Sequence, residues 1–83
     1  MIKNKNKSPY NDKGQPHGYW EQYYSNGQLS YRGKFINGKK EGYWEDYWRN
    51  GELHFRGNYV NDERKGYWEV VFNGFTQTEI YYT

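Results

Sequence analysis

Three glutamates at a constant spacing of 24 residues, Glu21, Glu45 and Glu69, are the groups in this sequence best placed for acid–base chemistry. Two carboxylates can serve as general acid and general base when their surroundings separate their pKa values. The sequence has two histidines, His17 and His54, and no motif joins either one to a nucleophile. The glycines follow turn spacings rather than a phosphate-binding loop, and no metal-ligand spacing is present. We therefore expect no enzyme activity, no cofactor and no metal.

The composition excludes several classes of protein. The chain has 83 residues, 34% of them hydrophobic and 23% aromatic, with 11 Tyr, 4 Trp and no Cys. A chain this short leaves much of its surface in water, so an ordinary enzyme with an aliphatic core is not expected. The lack of Cys excludes disulfides and favours a cytoplasmic location, since small secreted domains usually need them. No apolar run is long enough for a signal peptide or a membrane span.

An internal repeat organises the chain. The tetrapeptide Gly-Tyr-Trp-Glu occurs at 18–21, 42–45 and 66–69, and an Asn-Gly pair follows each copy. Recurrence at a fixed period indicates a repeat architecture in which each unit packs on its neighbours. We divide the chain into a basic arm at 1–9 and a repeat domain at 10–83, made of a leading half-unit at 10–17 and units at 18–41, 42–65 and 66–83.

Each unit is predicted to form two strands joined by a tight turn. Asn-Gly between aromatic segments indicates a type I′ hairpin, in which both central residues have positive φ. We expect such a turn at Asn26-Gly27 and a longer connection at 37–41. The sequence therefore predicts an all-β protein, a single-layer antiparallel meander of six strands in about three hairpins. A short extra strand near Tyr10 is compatible with the same pattern. The predicted strands are 19–24, 29–35, 43–48, 53–60, 67–72 and 77–82.

The turn positions also predict the strand register. If residues 26–27 form a two-residue turn, Trp20 faces Gly33 across the first hairpin, and Glu21 faces Arg32. An indole lying over a bare glycine fills the space of the missing side chain, and opposite charges across a strand pair are favourable. The same pairings recur one unit later. In the third unit the turn comes one residue early, which sets Trp68 against Glu79.

Alternation along the strands divides the side chains between two faces. The apolar face is expected to carry Trp20, Tyr24, Leu29, Tyr31, Phe35, Trp44, Trp48, Leu53, Phe55, Tyr59, Trp68 and Phe72. The amphipathic face is expected to carry Tyr19, Tyr23, Tyr43, Tyr47 and Tyr67 among Glu21, Arg32, Lys34, Glu45, His54, Arg56 and Glu69. Because no residues remain to build a second layer, either curvature lets neighbouring aromatic side chains cover each other or something else covers them, and we expect enough of the apolar face to stay exposed to be adhesive.

The repeat resembles a known family. The residues that carry the resemblance are Tyr31-x-Gly33-x-Phe35-x-Asn37-Gly38-Lys39-x-x-Gly42-x-Trp44, continued by Tyr47, Asn50-Gly51 and Leu53. They are similar to the MORN repeat, and especially to its bacterial variant grouped with YwqK-type antitoxin components. The resemblance covers roughly residues 10–75. It implies a curved sheet of hairpins that receives partner peptides or helices, with antitoxin roles in some members and lipid binding in others. At Thr76, Thr78 and Ile80 the sequence departs from the pattern, and we interpret that segment as a cap.

Another protein is the expected partner. Large aromatic side chains anchor interfaces, and the apolar face is predicted to expose about 700–1,000 Å², near the ~800 Å² that each partner gives to a standard interface. The small size and the lack of chemistry suit an inhibitor, either an antitoxin-like protein or a phage-type inhibitor of a bacterial nuclease or defence enzyme. The predicted partner-binding residues are Tyr23, Tyr24, Tyr47, Trp48, Phe72, Arg32 and Arg56.

Three other partners are weighed against this one. Aromatic residues interleaved with Arg and Lys suit single-stranded RNA, but 10 Asp+Glu nearly balance 12 Lys+Arg. Lys39-Lys40 and Arg64-Lys65 lie in equivalent predicted loops and form small basic patches for an anionic lipid surface. A second copy of the chain would pair through the edge at 80–82 or through the apolar face, giving a homodimer. Nucleic acid ranks below a protein partner, and a membrane surface ranks lowest.

Overall fold

The chain folds into one antiparallel sheet. The computed structural model describes residues 5–82, and within them each strand pairs with its neighbours in sequence, in the order β1-β2-β3-β4-β5-β6. The Cα atoms span 36 × 33 × 11 Å, which is the thickness of a single layer. The predicted all-β meander of six strands is confirmed. The strands are β1 (Gly18–Tyr23), β2 (Leu29–Ile36), β3 (Lys39–Tyr47), β4 (Leu53–Val60), β5 (Glu63–Phe72) and β6 (Phe75–Tyr81).

Two-residue turns join β2 to β3, β4 to β5, and β5 to β6. In the first of them φ is 49° at Asn37 and 85° at Gly38, as a type I′ turn requires. The pairs at 61–62 and 73–74 also have positive φ at both positions. Asn and Asp tolerate this left-handed region better than other residues with a side chain. Because the turn is so short, β3 begins at Lys39, and the longer connection predicted there is wrong.

The type I′ prediction for Asn26-Gly27 is also wrong. Only Gly27 has a positive φ, of 89°. Its N–H donates to the carbonyl of Tyr24 at 2.9 Å, and the N–H of Tyr24 donates to the carbonyl of Gln28 at 2.8 Å. This is a three-residue loop, a type I turn followed by a left-handed glycine. It shifts the pairing at the ends of β1 and β2 by one residue, and the loop at 48–52 repeats it.

Bulges opposite Gly33 and Gly57 bend the sheet. Between β2 and β3 the pairing changes from Arg32–Glu45 to Lys34–Glu41, so that three residues of β3 stand opposite Gly33 alone. The pairing of β4 with β5 has the same irregularity one unit later. Bulges increase the local twist and bend the strand that carries the extra residues. The meander is therefore a curved ribbon.

The bulge decides which indole covers each glycine. The predicted register of Trp20 with Gly33 is confirmed, but the ring that lies against Gly33 belongs to Trp44 of the following strand. In the same way, Trp68 covers Gly57. A Cβ atom on either glycine would collide with the indole. The prediction that Trp20 covers Gly33 is wrong because the indole after the bulge leans back over the preceding strand.

The apolar face buries three of its four tryptophans, which corrects the expectation of an exposed and adhesive face. Trp44 is 2% exposed and Trp68 is 0% exposed, and Trp20 is also buried. Neighbouring rings cover them edge to face, with Phe35 lying 5.2 Å from Trp20 and 4.9 Å from Trp44 between ring centroids. Each of the three indole N–H groups donates to a backbone carbonyl. Curvature thus lets one layer build a core that flat geometry would leave open.

The two edges of the sheet differ. Along β1, the N–H of Lys7 donates to the carbonyl of Glu21 at 2.8 Å, and the reverse bond is 3.0 Å. Tyr10 forms an isolated bridge with Pro16 at the place of the suggested extra strand. Of the predicted arm, residues 1–4 lie outside the described residues, while Lys7 to Pro9 lie against β1. Along β6, six of the seven residues are exposed, and no other segment of residues 5–82 pairs with its outer side.

Candidate functional site

A ladder of Tyr, Glu and Arg side chains runs across the amphipathic face. The first two units each place Tyr-x-Glu on one strand and add an Arg from the next, and the third unit contributes Glu69, so that the charged groups form one row. The members of this Tyr–Glu–Arg ladder are Tyr19, Glu21, Tyr23, Arg32, Tyr43, Glu45, Tyr47, Arg56 and Glu69. Two of the predicted partner-binding residues, the arginines, are therefore engaged within the chain.

Each arginine of the ladder pairs with the glutamate of the following strand. Arg32 Nε donates to Glu45, and Arg56 Nε donates to Glu69 at 2.5 Å. The predicted register of Glu21 with Arg32 is confirmed, but the ion pair that it suggested is not formed. Arg32 turns towards β3 instead because the carboxylate of Glu45 is buried and needs compensation.

Hydrogen bonding lowers the pKa of two glutamates of the ladder, Glu21 and Glu45. Burial alone would raise the pKa of Glu45, but hydrogen bonds from Arg32, Tyr43 and Tyr47 outweigh burial, and its pKa is lowered. The hydroxyl of Tyr19, with smaller help from other neighbours, lowers the pKa of Glu21. A general acid would need the opposite shift. The row is an arrangement of charge-assisted hydrogen bonds along the sheet surface.

The predicted anchors at the strand ends differ in exposure. Tyr24 is half-buried, and its hydroxyl donates to the carbonyl of Tyr47 at 2.7 Å. Trp48 is half-buried, stacks on His54 at 3.8 Å between centroids, and points its indole N–H at a β5 carbonyl. Phe72 is 62% exposed. Phe72 and Trp48 line a shallow groove of about 380 Å³, so these two side chains are brought together and Tyr24 is not.

The predicted anchors on the opposite face belong to the ladder. The hydroxyl of Tyr23 donates to Glu21 at 3.2 Å, and Lys5 lies over the Tyr23 ring. Tyr47 helps to lower the pKa of the Glu45 carboxyl. Both rings are half-buried. Their contacts within the chain limit what they can offer to a partner.

The basic pairs predicted for a lipid surface lie in strands rather than in loops. Lys40 Nζ is 4.9 Å from the ring centroid of Trp44. The guanidinium of Arg64 is 4.5 Å from the ring centroid of Trp68, and Lys65 pairs with Glu63 at 3.3 Å. These cations cover the buried indoles by cation–π contact. They do not form projecting basic patches.

The largest exposed apolar groups lie on or beside the last strand. Phe75 is 75% exposed and Tyr82 is 85% exposed, and Ile80 is exposed between them. Because the segment at 76–80 was interpreted as a cap, none of these side chains was predicted to bind a partner. A sequence signal did exist, because the segment 75–82 contains no Lys and no Pro, the residues that commonly protect an edge strand.

Comparison of the chain with protein-family models, with curated proteins and with solved structures gave no match. The resemblance to the MORN repeat therefore stays a prediction from the residues that carry it. Residues 5–82 contain no helix that is long and apolar enough to cross a membrane. No group of three or more His, Cys, Asp or Glu in that range is placed to hold a metal ion. The arrangement offers contact surfaces, chiefly along β6.

Proposed function

We propose that this protein is a small non-catalytic interaction module that binds and inhibits another protein, and that β6 pairs with an extended segment of that partner. The observation that carries the proposal is the difference between the two edges of the sheet. The arm covers the β1 edge through backbone hydrogen bonds at Lys7, whereas β6 is open on its outer side within the described residues. An exposed edge is a template for an added strand.

The backbone of β6 is oriented for strand addition. The two-residue turn makes Phe72–Phe75 the closing pair of the β5–β6 hairpin. Pairs in an antiparallel ladder alternate between hydrogen-bonded and non-hydrogen-bonded. Thr76, Thr78 and Ile80 therefore direct their N–H and C=O groups towards the open side. These three residues would form the main-chain bonds to a partner strand.

Exposed side chains next to this edge supply apolar area. Phe72 and Phe75 lie opposite each other at the turn, and Ile80 and Tyr82 are exposed at the far end. Main-chain bonds give affinity in strand addition, and side chains at alternate positions give specificity. Aromatic side chains are the usual anchors of binding energy. Of the predicted anchors, Phe72 fits this site best.

We also infer that the protein inhibits its partner and acts in the cytoplasm. The resemblance to YwqK-type MORN proteins supports an antitoxin-like or phage-type inhibitor of a nuclease or another defence enzyme. The lack of Cys supports a cytoplasmic location. RNA and lipid binding receive less support, because Arg32 and Arg56 are held in ion pairs and Lys40 and Arg64 lie on aromatic rings.

Proline at one edge position tests the proposal. Thr78→Pro removes an outward N–H without breaking the β5–β6 ladder, since edge strands accept proline there. Thr78→Ala is the matched control, because both variants lose the contact of the Thr78 hydroxyl with Tyr67 and only proline loses the N–H. The unaltered chain and the two variants would each be immobilised and incubated with host lysate. Captured proteins would be purified, and their affinity for each of the three would be measured by titration.

A partner that binds the unaltered chain and Thr78→Ala alike, but binds Thr78→Pro at least tenfold more weakly, supports the proposal. Inhibition of that partner's activity should follow the same order. Equal binding by all three proteins would exclude the β6 edge. Binding that falls steeply with rising salt and is removed by ribonuclease would point to RNA instead.

A further inference from the structure

A second binding feature lies on the apolar face, three strands away from the β6 edge. It is a pocket of about 280 Å³ between β2, β3 and β4. This volume is just below the range of about 300–1,000 Å³ that is usual for ligand pockets. The pocket therefore suits one side chain rather than a whole cofactor. Its aromatic walls are Tyr31, Phe35, Trp44, Phe55 and Tyr59.

A carboxylate stands among these rings. Asp46 pairs with Tyr31 on one side and with Phe55 on the other, so the three side chains share a face of the sheet. Asp46 is half-buried. Among residues 5–82 it forms no ion pair and no hydrogen bond to another side chain. An unpaired carboxylate in aromatic surroundings is costly unless a cation meets it.

The surroundings of Asp46 disfavour its charged form. Burial raises the pKa of Asp46, and the opposing contributions of His54, Lys40 and the backbone N–H of Tyr47 do not cancel the increase. Lys40 lies over the rings of Trp44 and Tyr59, 4.9 and 5.0 Å from their centroids, and it does not pair with Asp46. The carboxylate thus keeps capacity for a further cation.

The carboxylate is specific to the middle unit. The corresponding positions of the other units, 24 residues away on each side, are Gln22 and Val70. The framework tetrapeptide just before this position is identical in all three units. A requirement of the fold would apply to each unit equally. The carboxylate is therefore a local feature of this pocket.

In the next unit, aromatic rings of the same kind lie against a guanidinium group. The guanidinium of Arg64 lies 4.9 Å from the centroid of Phe55 and 4.5 Å from that of Trp68, and 3.8 Å from the carboxylate of Glu79. Phe55 also forms a wall of the pocket. A guanidinium stacks on aromatic faces and binds carboxylates in a bidentate manner, and it is less strongly hydrated than an ammonium group.

We propose that this pocket binds the guanidinium of an arginine side chain from a partner protein, stacked on the rings of Tyr31 and Phe55 and hydrogen-bonded to the Asp46 carboxylate. The proposal is independent of strand addition at β6, because the pocket shares no residue with that edge. A phosphate group is disfavoured, since Asp46 would repel it. A neutral side chain would leave the carboxylate unpaired.

An NMR titration of the full-length protein with N-acetyl-arginine amide tests this site. The indole N–H of Trp44 reports on the pocket, and that of Trp20, which is not part of its lining, is the internal reference. We expect a saturable shift at Trp44 with a Kd on the order of 10 mM. N-acetyl-citrulline amide has the same shape without the charge, and we expect it to shift Trp44 at least tenfold less at equal concentration. Equal shifts with both compounds, or none with either, would overturn the proposal.

Two variants of the pocket should change the affinity in opposite directions. Asp46→Asn should weaken arginine binding about tenfold, because a charged hydrogen-bond partner is lost. Lys40→Met should strengthen it several-fold, because a repelling charge is removed. Asp12→Asn is the matched control at an exposed turn, with the same change in net charge, and should bind like the unaltered chain.

The outcomes separate this site from the one at β6. Unchanged binding in Asp46→Asn, or equal weakening in Asp12→Asn, would contradict the role of the carboxylate. The comparison of arginine with citrulline on the unaltered chain decides the question even if a variant fails to fold. Thr78→Pro should titrate like the unaltered chain, so failure of one proposal leaves the other standing.

Discussion

The indole of Trp44 lies directly on the backbone of Gly33, the residue at the centre of the preceding strand. Trp68 has the same relationship to Gly57 one unit later. A bulge in the strand pairing makes this contact possible, since three residues of the strand that carries the tryptophan stand opposite one glycine. A single sheet thereby obtains buried aromatic side chains without a second layer. The stability of the fold should depend on this contact.

Adding a methyl group at Gly33 should destabilise the protein. In Gly33→Ala the new Cβ would collide with the indole of Trp44, and overpacking of this kind costs about 1–3 kcal/mol. Ser30→Ala on the same strand is the control and should stay within about 0.5 kcal/mol of the unaltered chain. Urea unfolding followed by Trp fluorescence measures both. A midpoint unchanged by Gly33→Ala would show that the indole can move away at no cost.

The structure separates Trp48 from Phe72 by their contacts. Trp48→Ala should lower the free energy of unfolding by about 1–2 kcal/mol, because a half-buried indole stacked on His54 is lost. Phe72→Ala should change it by less than about 0.5 kcal/mol, since the ring is mostly exposed. Phe72→Ala should instead weaken binding of the partner. Equal stability of the two variants would contradict this difference.

Neighbouring carboxylates of β3 should affect stability with opposite signs. The pKa of Glu45 is lowered in the folded protein from a reference value of 4.5, so its contribution is present above that value and is lost as the pH falls through the lower folded pKa. The pKa of Asp46 is raised in the folded protein from a reference value of 3.8. Ionised Asp46 therefore lowers the free energy of unfolding, and this effect develops as the pH rises above 3.8. At pH 7 Glu45 stabilises the fold and Asp46 opposes it.

The variants Glu45→Gln and Asp46→Asn test these signs. At pH 7, Glu45→Gln should reduce the free energy of unfolding by about 1–3 kcal/mol, because charged hydrogen bonds to Arg32 and Tyr43 are weakened, and Asp46→Asn should increase it. Near pH 3 both differences should shrink. Glu52→Gln, at an exposed turn, is the control. Urea unfolding at the two pH values measures the effect, and the same sign for both variants would contradict the assignment.

Hydrogen exchange should distinguish the two edges of the sheet. In the free protein at low concentration, the amide of Thr78 should exchange rapidly, because its N–H faces the open side of β6. The amide of Glu21 should be protected, because it donates to the carbonyl of Lys7 at 3.0 Å. Binding of the partner should protect Thr78 and leave Glu21 unchanged. Protection of Thr78 that appears only at high protein concentration would instead indicate pairing between two copies of the chain.

The repeat made much of the backbone predictable. The spacing of the Gly-Tyr-Trp-Glu copies and the Asn-Gly pairs gave six strands in sequence order, because turn positions fix an antiparallel register. The pairings of Trp20 with Gly33 and of Trp68 with Glu79 are both confirmed. The turn type at Asn26-Gly27 was wrong, since the same dipeptide also serves a three-residue loop. Local sequence does not distinguish these two loops.

The binding residues were less predictable than the backbone. Arg32 and Tyr47 were chosen as surface contacts, and both are engaged by Glu45. Phe72 is exposed as expected. Phe75 and Asp46 were not chosen, since a sequence gives neither the exposure of an edge strand nor the pocket around a carboxylate. Exposure depends on how neighbouring units curve over one another.

The sequence by itself determined the number of strands, their order and the central pairings within the hairpins, such as Trp20 with Gly33 and Trp68 with Glu79. The tertiary structure alone decided which of the two neighbouring strands each side chain contacts. Every inner strand lies between two neighbouring strands, and the strand register does not determine which of the two a side chain contacts. It therefore does not predict that Trp44 packs on Gly33 or that Arg32 pairs with Glu45. The bulge and the curvature that follows from it make that choice, and they also bury the tryptophans and leave the β6 edge as the main open surface of residues 5–82.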